Sequence, residues 1–343
     1  MDGADHLGQS VKRMSAPLSI TGIGAAFVDA IAPVDDDFIH AHNIGKGVTT
    51  LVDTHKLGYL LESLTDPLLL PGGSTANLLC GLAVQGYPST FIGRTGDDRY
   101  GEIFREAFLP YGINFPHDRL EGRTTSVCIA LLTPDKERSF VVSRHTASYA
   151  LKAQDLPLPP DSIDTYICIE ANMALSPAGC HPDESVLAAA LIMYGNSRRR
   201  LVLGLNDRDI VADMRPLIQQ SLSFGNVMIM GNMNECLALF DEHDMALAFA
   251  KAQSTGRDFI ITNGANGAYV VTPDSIDHIP GPDLPPEQVV STVGAGDQFA
   301  AGFIAGMIEG KPYIEAAHQG TAAAGRIIQQ RGGRPALPQG EKK

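Results

Sequence analysis

The segment Ser291-Thr292-Val293-Gly294-Ala295-Gly296-Asp297 runs without a break into the apolar stretch QFAAGFIAGM at 298–307. Glycines at the start of a helix let backbone N–H groups face outward with no side chain in the way. The helix dipole adds partial positive charge at the same place. The pattern therefore predicts an anion-binding turn that opens a buried helix.

Asp297, in the first turn of this predicted helix, has two interpretations. A carboxylate repels a bound phosphate, so it is expected there only if it must take a proton from an attacking hydroxyl, as phosphoryl transfer requires. An acidic residue at a helix start is also a common cap. The composition of the segment leaves a general base and a helix cap as alternatives of equal weight.

A second glycine turn, Pro71-Gly72-Gly73, precedes a predicted helix at 74–85. Its glycines allow a ligand to approach the backbone closely. Asn77, one turn into the helix, offers an amide to a hydroxyl-rich substrate. Asp29 follows the predicted first strand, 17–24, and its carboxylate suits a vicinal diol. The structural alternatives are a plain turn with a serine cap and a solvated loop acid.

Two further segments follow predicted strands. Asn232-Met233-Asn234-Glu235 offers an amide and a carboxylate to Mg²⁺ and its phosphates through water. The same spacing is that of a helix capping box. Thr262 to Gly267 (TNGANG) is a glycine turn of a kind that many hairpins share. The chain has neither a Walker A pattern nor a dinucleotide-binding G-x-G-x-x-G after the first strand.

Strands and helices alternate over roughly 200 residues, which predicts an α/β protein with helices on both faces of a mostly parallel central sheet. Two β-rich stretches, about 34–52 and 118–145, interrupt the pattern, and each is too short to bury a core of its own. We expect them to form together a small β lid. They would belong to a single domain at 17–338, flanked by a frayed tail at 1–16 and a short tail at 339–343.

The 343 residues include 26 Lys and Arg against 39 Asp and Glu, a formal net charge of −13. So acidic a chain is poorly suited to bind nucleic acid or an anionic membrane surface, and no apolar stretch is long enough for a transmembrane helix.

The five cysteines show no metal-like spacing and fit reduced thiols in the cytoplasm. His40 and His42 are interpreted as lid or surface residues, with a shared metal as the alternative.

The order of these segments resembles that of the ribokinase-like (PfkB) family of carbohydrate and nucleoside kinases. GAGD at 294–297, followed by a helix of small apolar residues, is the specific part. GGSTAN at 72–77 with FIGRTGDDRYG at 91–101 is second. GGST and the closing segment RIIQQRGGRP are most similar to the adenosine-kinase-like branch, and Leu205-Asn206-Asp207-Arg208 resembles a sugar-kinase motif.

The resemblance covers about residues 18–338 and implies a three-layer α/β/α ribokinase-like fold with a small β lid. It also implies transfer of a phosphoryl group from ATP, with Mg²⁺, to a hydroxyl of a sugar or nucleoside. Asp297 would be the base, and the transferring charge would be held by the N–H groups of Gly294, Ala295 and Gly296. The substrate's hydroxyls would be held by Asp29, Gly72, Gly73 and Asn77. ATP would be contacted by Asn206, Asn232, Glu235, Thr262, Gly264 and Gly267, of which Asn232 and Glu235 also organise Mg²⁺ indirectly.

Two positions depart from the family's pattern. The family usually has Asp at the position of Ser291, in a loop that often helps form a monovalent-cation site, so potassium activation stays open for this chain. Nucleoside kinases commonly have Asn at the position of Ala25, so the resemblance does not assign adenosine as the substrate.

A non-catalytic sugar- or nucleotide-binding protein on the same fold is the alternative function. A dinucleotide oxidoreductase is disfavoured by the missing glycine fingerprint. We expect a monomer or a homodimer.

Overall fold

A large and a small β-sheet organise the chain. The computed structural model describes residues 19–158, 165–197 and 199–337. Both predicted tails, 1–16 and 339–343, lie outside the described residues.

The described residues form thirteen strands, numbered in chain order: β1 (Ser19–Ile23), β2 (Phe27–Pro33), β3 (Thr49–Leu51), β4 (Leu68–Pro71), β5 (Ser89–Ile92), β6 (Ser126–Leu132), β7 (Arg138–Val142), β8 (Thr165–Glu170), β9 (Arg200–Gly204), β10 (Val227–Asn232), β11 (Asp258–Thr262), β12 (Ala268–Val271) and β13 (Ile276–Ile279).

The same residues form eleven α-helices: α1 (Asp36–Ala41), α2 (Thr54–Ser63), α3 (Ser74–Ala83), α4 (Arg99–Glu106), α5 (Val186–Tyr194), α6 (Arg208–Asp213), α7 (Arg215–Ser221), α8 (Met233–Phe240), α9 (Met245–Ser254), α10 (Ala295–Ile308) and α11 (Tyr313–Ile327). None of these helices combines the length and the hydropathy that crossing a bilayer requires.

The large sheet has eight strands in the order β13-β12-β11-β10-β9-β8-β1-β5. The six neighbouring strands β5, β1, β8, β9, β10 and β11 are parallel to one another. Strand β12 is antiparallel to β11, and β13 is antiparallel to β12. Successive residues of one strand enter different cores: Ile229 packs in one hydrophobic cluster, and Met228 and Met230 pack in the cluster on the opposite face. A sheet covered on both faces explains why its strands are almost continuously apolar. The predicted three-layer α/β fold is confirmed.

Helices α10 and α11 pack closely because small residues line their contact. A Cβ atom on Gly302 would lie 2.7 Å from the carbonyl oxygen of Gln319, and one on Gly320 would lie 2.7 Å from that of Phe299. Side chains at these two positions would force the helices apart. The Ala- and Gly-rich composition of the last two helices is therefore a packing requirement.

The small sheet has five strands in the order β3-β7-β6-β2-β4. One of its faces is covered by α1 and α2, and the residues between them form a third hydrophobic cluster that contains Ile39, Leu57, Leu60, Ile129 and Val141. The cluster combines residues of both predicted stretches with residues of α2, so neither stretch buries it alone. The predicted stretches 34–52 and 118–145 contribute β3, β6 and β7, but β2 and β4 lie outside them, and 34–52 also contains α1.

The prediction missed β2 because the apolar residues of β2 follow β1 after only three residues, Gly24 to Ala26, of which only Gly24 is a turn residue. The chain crosses from the large sheet to the small one at this point. Helices α6 and α7 meet at Met214, and Pro216 is accommodated in the first turn of α7. Strand β13 was not predicted at all.

Candidate functional site

The candidate site lies where the carboxyl ends of the parallel strands face the small sheet. A cavity of about 440 Å³, the inter-sheet cavity, is lined by Asp29 and Phe140 from the small sheet and by Asn77, Glu170 and Asp297 from the large-sheet domain. Open α/β sheets bind ligands at this edge. The fold therefore brings together side chains that are far apart in the sequence.

The turn before α10 adopts the geometry that its glycines allow. Gly294 is the N-cap, with φ of +78°, and a Cβ there would collide with Gly333. Around Gly296 the space is open. The amide of Ala295 donates to the carbonyl oxygen of Thr292 over 3.2 Å, so it is engaged in a turn. The next two amides, of Gly296 and Asp297, precede the first helical hydrogen bond, which the amide of Gln298 donates to the carbonyl oxygen of Gly294 over 2.9 Å. The helix start thus points donors and positive potential into the cavity.

Asp297 lies in the first turn of α10, not at its N-cap, so it does not cap the helix in the usual sense. Its Oδ2 accepts a hydrogen bond of 2.9 Å from Nδ2 of Asn77. Burial, helped by the negative charges of Glu170 and Asp29, raises the pKa of Asp297 to about 7, while hydrogen bonds from Asn77 and Ser74 oppose the rise. A carboxyl group with this pKa can exchange a proton near neutral pH.

Asp29 projects from β2 into the same cavity, so it is not a loop residue. Burial raises its pKa to about 6, and the charge of Arg334 opposes the rise. Strand β2 pairs with β4, and the turn after β4 passes close to this carboxylate: a Cβ on Gly72 would lie 2.7 Å from Oδ2 of Asp29. Gly73, with φ of +87°, is the N-cap of α3. Glycine is needed at 72 for close approach and at 73 for its backbone conformation.

Glu170 ends β8 and was missed by the sequence reasoning. It is 2% exposed. Its Oε1 accepts from the amide of Thr75 over 2.7 Å, and its Oε2 accepts from the amide of Ala25 over 3.2 Å. Burial raises its pKa. It therefore ties the crossover after β1 to the start of α3. The available signal was an acidic residue that closes an otherwise apolar strand, TYICIE.

Asn232 and Glu235 form the capping box that was the structural alternative for this motif. The amide of Glu235 donates to Oδ1 of Asn232 over 3.0 Å, and the backbone amide and Nδ2 of Asn232 donate to the two carboxylate oxygens of Glu235 over 2.9 and 2.6 Å. Burial raises the pKa of Glu235 to about 7. Both residues line a second cavity of about 230 Å³, the strand-end cavity, with Asn206, Thr262 and Asp297.

The predicted nucleotide residues are not all brought to this cavity. Gly264 and Gly267 belong to the turn between β11 and β12 and do not line either cavity. Gly267, with φ of +89°, lies against the backbone of Ile279 and Pro280, so it is required by packing.

His42 packs its ring on Phe38 at 4.4 Å between centroids. Both histidines belong to the small-sheet layer, His40 in the last turn of α1 and His42 at its C-cap.

Comparisons with known proteins match the chain to one family and to solved structures with the same fold. The family described as pfkB family carbohydrate kinase matches residues 63–340. A fructokinase of Klebsiella pneumoniae is 27% identical over 248 residues, 70% of this chain and 78% of its own. Adenosine kinase 2 of Arabidopsis thaliana is 24% identical over 332 residues, 91% of this chain and 94% of its own. The crystal structure of an adenosine kinase from Sinorhizobium meliloti superimposes with a TM-score of 0.81 at 27% identity and covers 94% of this chain and 97% of that one.

The raised pKa of Asp297 predicts a pH-dependent cost in stability. A carboxyl group whose pKa is higher in the folded state destabilises the fold increasingly as pH rises from about 4 to 7, and fully above that. Asp297→Asn removes the charge and keeps the shape. We expect it to raise the free energy of unfolding at pH 8 by about 1–4 kcal/mol, and by less at pH 5. Urea unfolding at the two pH values measures both differences.

The matched control for this experiment is Asp274→Asn, at an exposed aspartate. This control should leave stability unchanged at both pH values. The free energy of unfolding of Asp297→Asn could instead rise equally at pH 8 and pH 5, or not rise at all. Either result would show that burial does not penalise the Asp297 carboxylate.

Proposed function

This chain belongs to the pfkB family of carbohydrate kinases, and on that premise we propose that it transfers the γ-phosphoryl group of ATP to a hydroxyl of a sugar or nucleoside with Asp297 as general base. The observation that carries the proposal is the position of Asp297. A carboxyl group with a pKa of about 7 lies in the first turn of α10, at the meeting point of two cavities that share its side chain. One cavity suits an acceptor and the other a phosphoryl donor.

In the proposed reaction, Asp297 accepts the proton of the acceptor hydroxyl while the hydroxyl oxygen attacks the γ-phosphorus of ATP. A new O–P bond forms, the bond from the γ-phosphorus to the bridging oxygen breaks, and ADP leaves. The unpaired amides at the start of α10 face the negative charge that develops on the transferred group. A base whose pKa is near 7 is ionised to a useful extent at neutral pH and still binds a proton well.

The acceptor's hydroxyls are assigned to Asp29, Gly73 and Asn77, which line the inter-sheet cavity. Gly72 is assigned an indirect role, since it makes room for the Asp29 carboxylate. The phosphoryl donor is assigned to the strand-end cavity with Asn206, Thr262 and the Asn232–Glu235 pair. Because the small sheet supplies Asp29, we propose that it acts as a lid that keeps water from the transferred group.

The residues near the strand-end cavity fit Mg²⁺ only through water. Both oxygens of Glu235 already accept hydrogen bonds from Asn232. The described residues contain no group of three or more His, Cys, Asp or Glu side chains that could hold a metal ion. Mg²⁺ commonly keeps several waters and binds with substrate phosphates, so Asn232 and Glu235 would hold those waters. When bound, Mg²⁺ neutralises charge on the phosphates.

An apolar cavity favours a nucleoside over a free sugar as the acceptor. This cavity, of about 370 Å³, shares Asp29 and Phe140 with the inter-sheet cavity and is otherwise lined mainly by aliphatic residues such as Ile31, Leu70 and Val290. With its hydroxyls at Asp29, a free hexose would leave these apolar surfaces in contact with water. The base of a nucleoside would cover them. Adenosine or a related ribosyl compound is therefore the preferred acceptor.

The role of Asp297 is tested by the turnover of Asp297→Asn. Asparagine has the same shape but cannot accept the proton. We expect kcat to fall by about 10²–10⁴, the usual contribution of a general base, with ATP binding retained. Asp274→Asn is again the control and should keep full activity. Turnover near that of the wild type in Asp297→Asn would exclude Asp297 as the base.

The role of Asp29 is tested by separating the two substrates. We expect Asp29→Ala to raise KM for the acceptor by roughly 10- to 100-fold and to change KM for ATP little, because the loss of hydrogen bonds to a charged group costs about 1.5–3 kcal/mol. Asp37→Ala, at an exposed aspartate on α1 of the same layer, is the control. Equal increases in both KM values would place Asp29 outside the acceptor site.

The acceptor class is tested by thermal shift. Ligands that bind only the folded state raise its melting temperature. We expect adenosine and inosine to raise Tm more than ribose and fructose do, and the difference to grow when a non-hydrolysable ATP analogue is present. Consumption of ATP with the same compounds separates a kinase from a non-catalytic binding protein. A larger shift with fructose than with any nucleoside would contradict the preference for a nucleoside.

A further inference from the structure

Arg334 is a buried arginine that the proposed reaction does not use. It follows α11 in the C-terminal segment and is 8% exposed. Its guanidinium carbon lies 5.1 and 4.8 Å from the ring centroids of Phe104 and Phe108. Its two hydrogen-bond acceptors are uncharged: Nη2 donates to the carbonyl oxygen of Gly72 over 3.1 Å, and Nε donates to Oδ1 of Asn77 over 3.3 Å. Burying a charge against neutral partners is costly, so a specific role is expected.

The contact with Asn77 decides which way the amide of that residue faces. A guanidinium group has donors only, so it can bond the oxygen of the amide but not the nitrogen. With Oδ1 directed at Arg334, the NH₂ group must face the other way. There, Nδ2 lies 2.9 Å from Oδ2 of Asp297. An ionised carboxylate has acceptors only, so this orientation satisfies it.

Other hydrogen bonds fix the C-terminal segment around Arg334 relative to Asn77 and α10. The side-chain amide of Gln298 donates from Nε2 to the backbone oxygens of Asn77 and Gly333 over 2.7 and 2.9 Å. The hydroxyl of Tyr111 donates to the backbone oxygen of Pro335 over 2.7 Å. The C-terminal segment is thus fastened to α3 and α10 at the point where the Asn77 side chain spans the gap between them.

We propose that Arg334 is a positioning residue that holds the Asn77 amide in the orientation that donates a hydrogen bond to Asp297. The role rests on the assignment of Asp297 as the general base under the proposed function. If the amide turned over, Oδ1 of Asn77 would face Oδ2 of Asp297, an arrangement that suits only a protonated carboxyl group. Arg334 therefore favours the ionised form of Asp297, the form that can accept a proton, without touching it.

The charge environment of Asp297 is otherwise negative. The side chains that act on it or share its cavities come from several elements and comprise the acidic groups Asp29, Glu170, Asp207 and Glu235, the cation Arg144, and the neutral donors Ser74 and Asn77. Since most of these groups disfavour a further negative charge, the hydrogen bond from Asn77 has a large influence on the proton affinity of Asp297.

The test is a titration of the Asp297 carboxyl carbon by NMR in the substrate-free protein labelled with ¹³C at aspartate, with the signal assigned by its loss in Asp297→Asn. Arg334→Met removes the donors and keeps an apolar chain on the phenylalanine rings. We expect the pKa of Asp297 to rise by about 1–2 in this variant, the equivalent of one hydrogen bond to a charged group. Arg334→Lys keeps a donor and should restore part of the difference.

Arg105→Met is the matched control. Arg105 also lies over an aromatic ring, 4.2 Å from the centroid of Phe115, and donates to Thr95 and to the backbone of His117, with no bond to Asn77. Its loss should leave the titration of Asp297 unchanged. An unchanged titration in Arg334→Met, with the protein shown to be folded, would overturn the proposal.

A double-variant cycle separates positioning from direct electrostatics. In an Asn77→Ala background, Arg334→Met should cause no further change in the titration of Asp297. If the change is as large as in the wild-type background, Arg334 acts through its charge and the positioning role is wrong. Where Arg334→Met fails to fold, Arg334→Lys and Arg334→Gln give the same comparison. The titration needs no turnover, so failure of the proposed function would appear separately. No consumption of ATP with any acceptor would exclude a kinase, and an unaltered kcat in Asp297→Asn would exclude Asp297 as the base.

Discussion

The site depends on one constraint: four carboxyl groups are buried or half-buried within one cleft, and few cations are close to them. Glu170 and Glu235 are 2% and 5% exposed. Glu170, Asp29 and Asp297 line the inter-sheet cavity, and Glu235 lines the adjoining strand-end cavity, which shares Asp297. Burial raises the pKa of each of the four groups. Burying these carboxyl groups destabilises the fold, so interactions with the surrounding structure must offset that cost. Such a cluster is typical of a functional site.

Hydrogen bonds from neutral donors provide most of that offset. Backbone amides of Thr75 and Ala25 hold Glu170, and the backbone and side-chain amides of Asn232 hold Glu235. Neutral donors favour the ionised form without cancelling its charge. Burial raises the pKa of both groups despite these donors, whereas pairing with a cation would lower the pKa and weaken the group as a base. This arrangement supports the proposed use of the cleft for proton transfer.

The two sheets contribute different parts of this cleft. The large sheet, buried on both faces, supplies rigid strand ends and the amino ends of α3 and α10. The small sheet has its own hydrophobic cluster with α1 and α2 on one face, which leaves Asp29, Phe140 and aliphatic residues on the other face to line the cavities. A ligand between the sheets would touch polar groups of the large-sheet side, and both the Asp29 carboxylate and apolar groups of the small sheet. The nucleoside proposed as acceptor likewise combines a polar sugar with an apolar base.

Much of the fold and part of the site were predictable from local patterns. The alternation of strands and helices indicated the parallel sheet, and the glycine turn before 297 indicated the start of α10, because both follow from spacing along the chain. Local reasoning failed where the sequence signal was weak or fitted two structures. Strand β2 follows β1 after three residues, of which only Gly24 is a turn residue. The motif at 232–235 fits a capping box and a phosphate site equally well, because both use the same donors.

The sequence by itself determined which elements form and which residue types lie at their ends, since propensity, capping and periodicity act over a few residues. Only the tertiary structure decided which of those residues meet. Asn77 and Asp297 are 220 positions apart and share a hydrogen bond. Arg334 is 257 positions from Asn77 and contacts it through the interior. Glu170 gained its role because two distant amides converge on it. Burial, and with it the proton affinity of each carboxyl group, depends on everything packed around the group, which no local stretch of sequence contains.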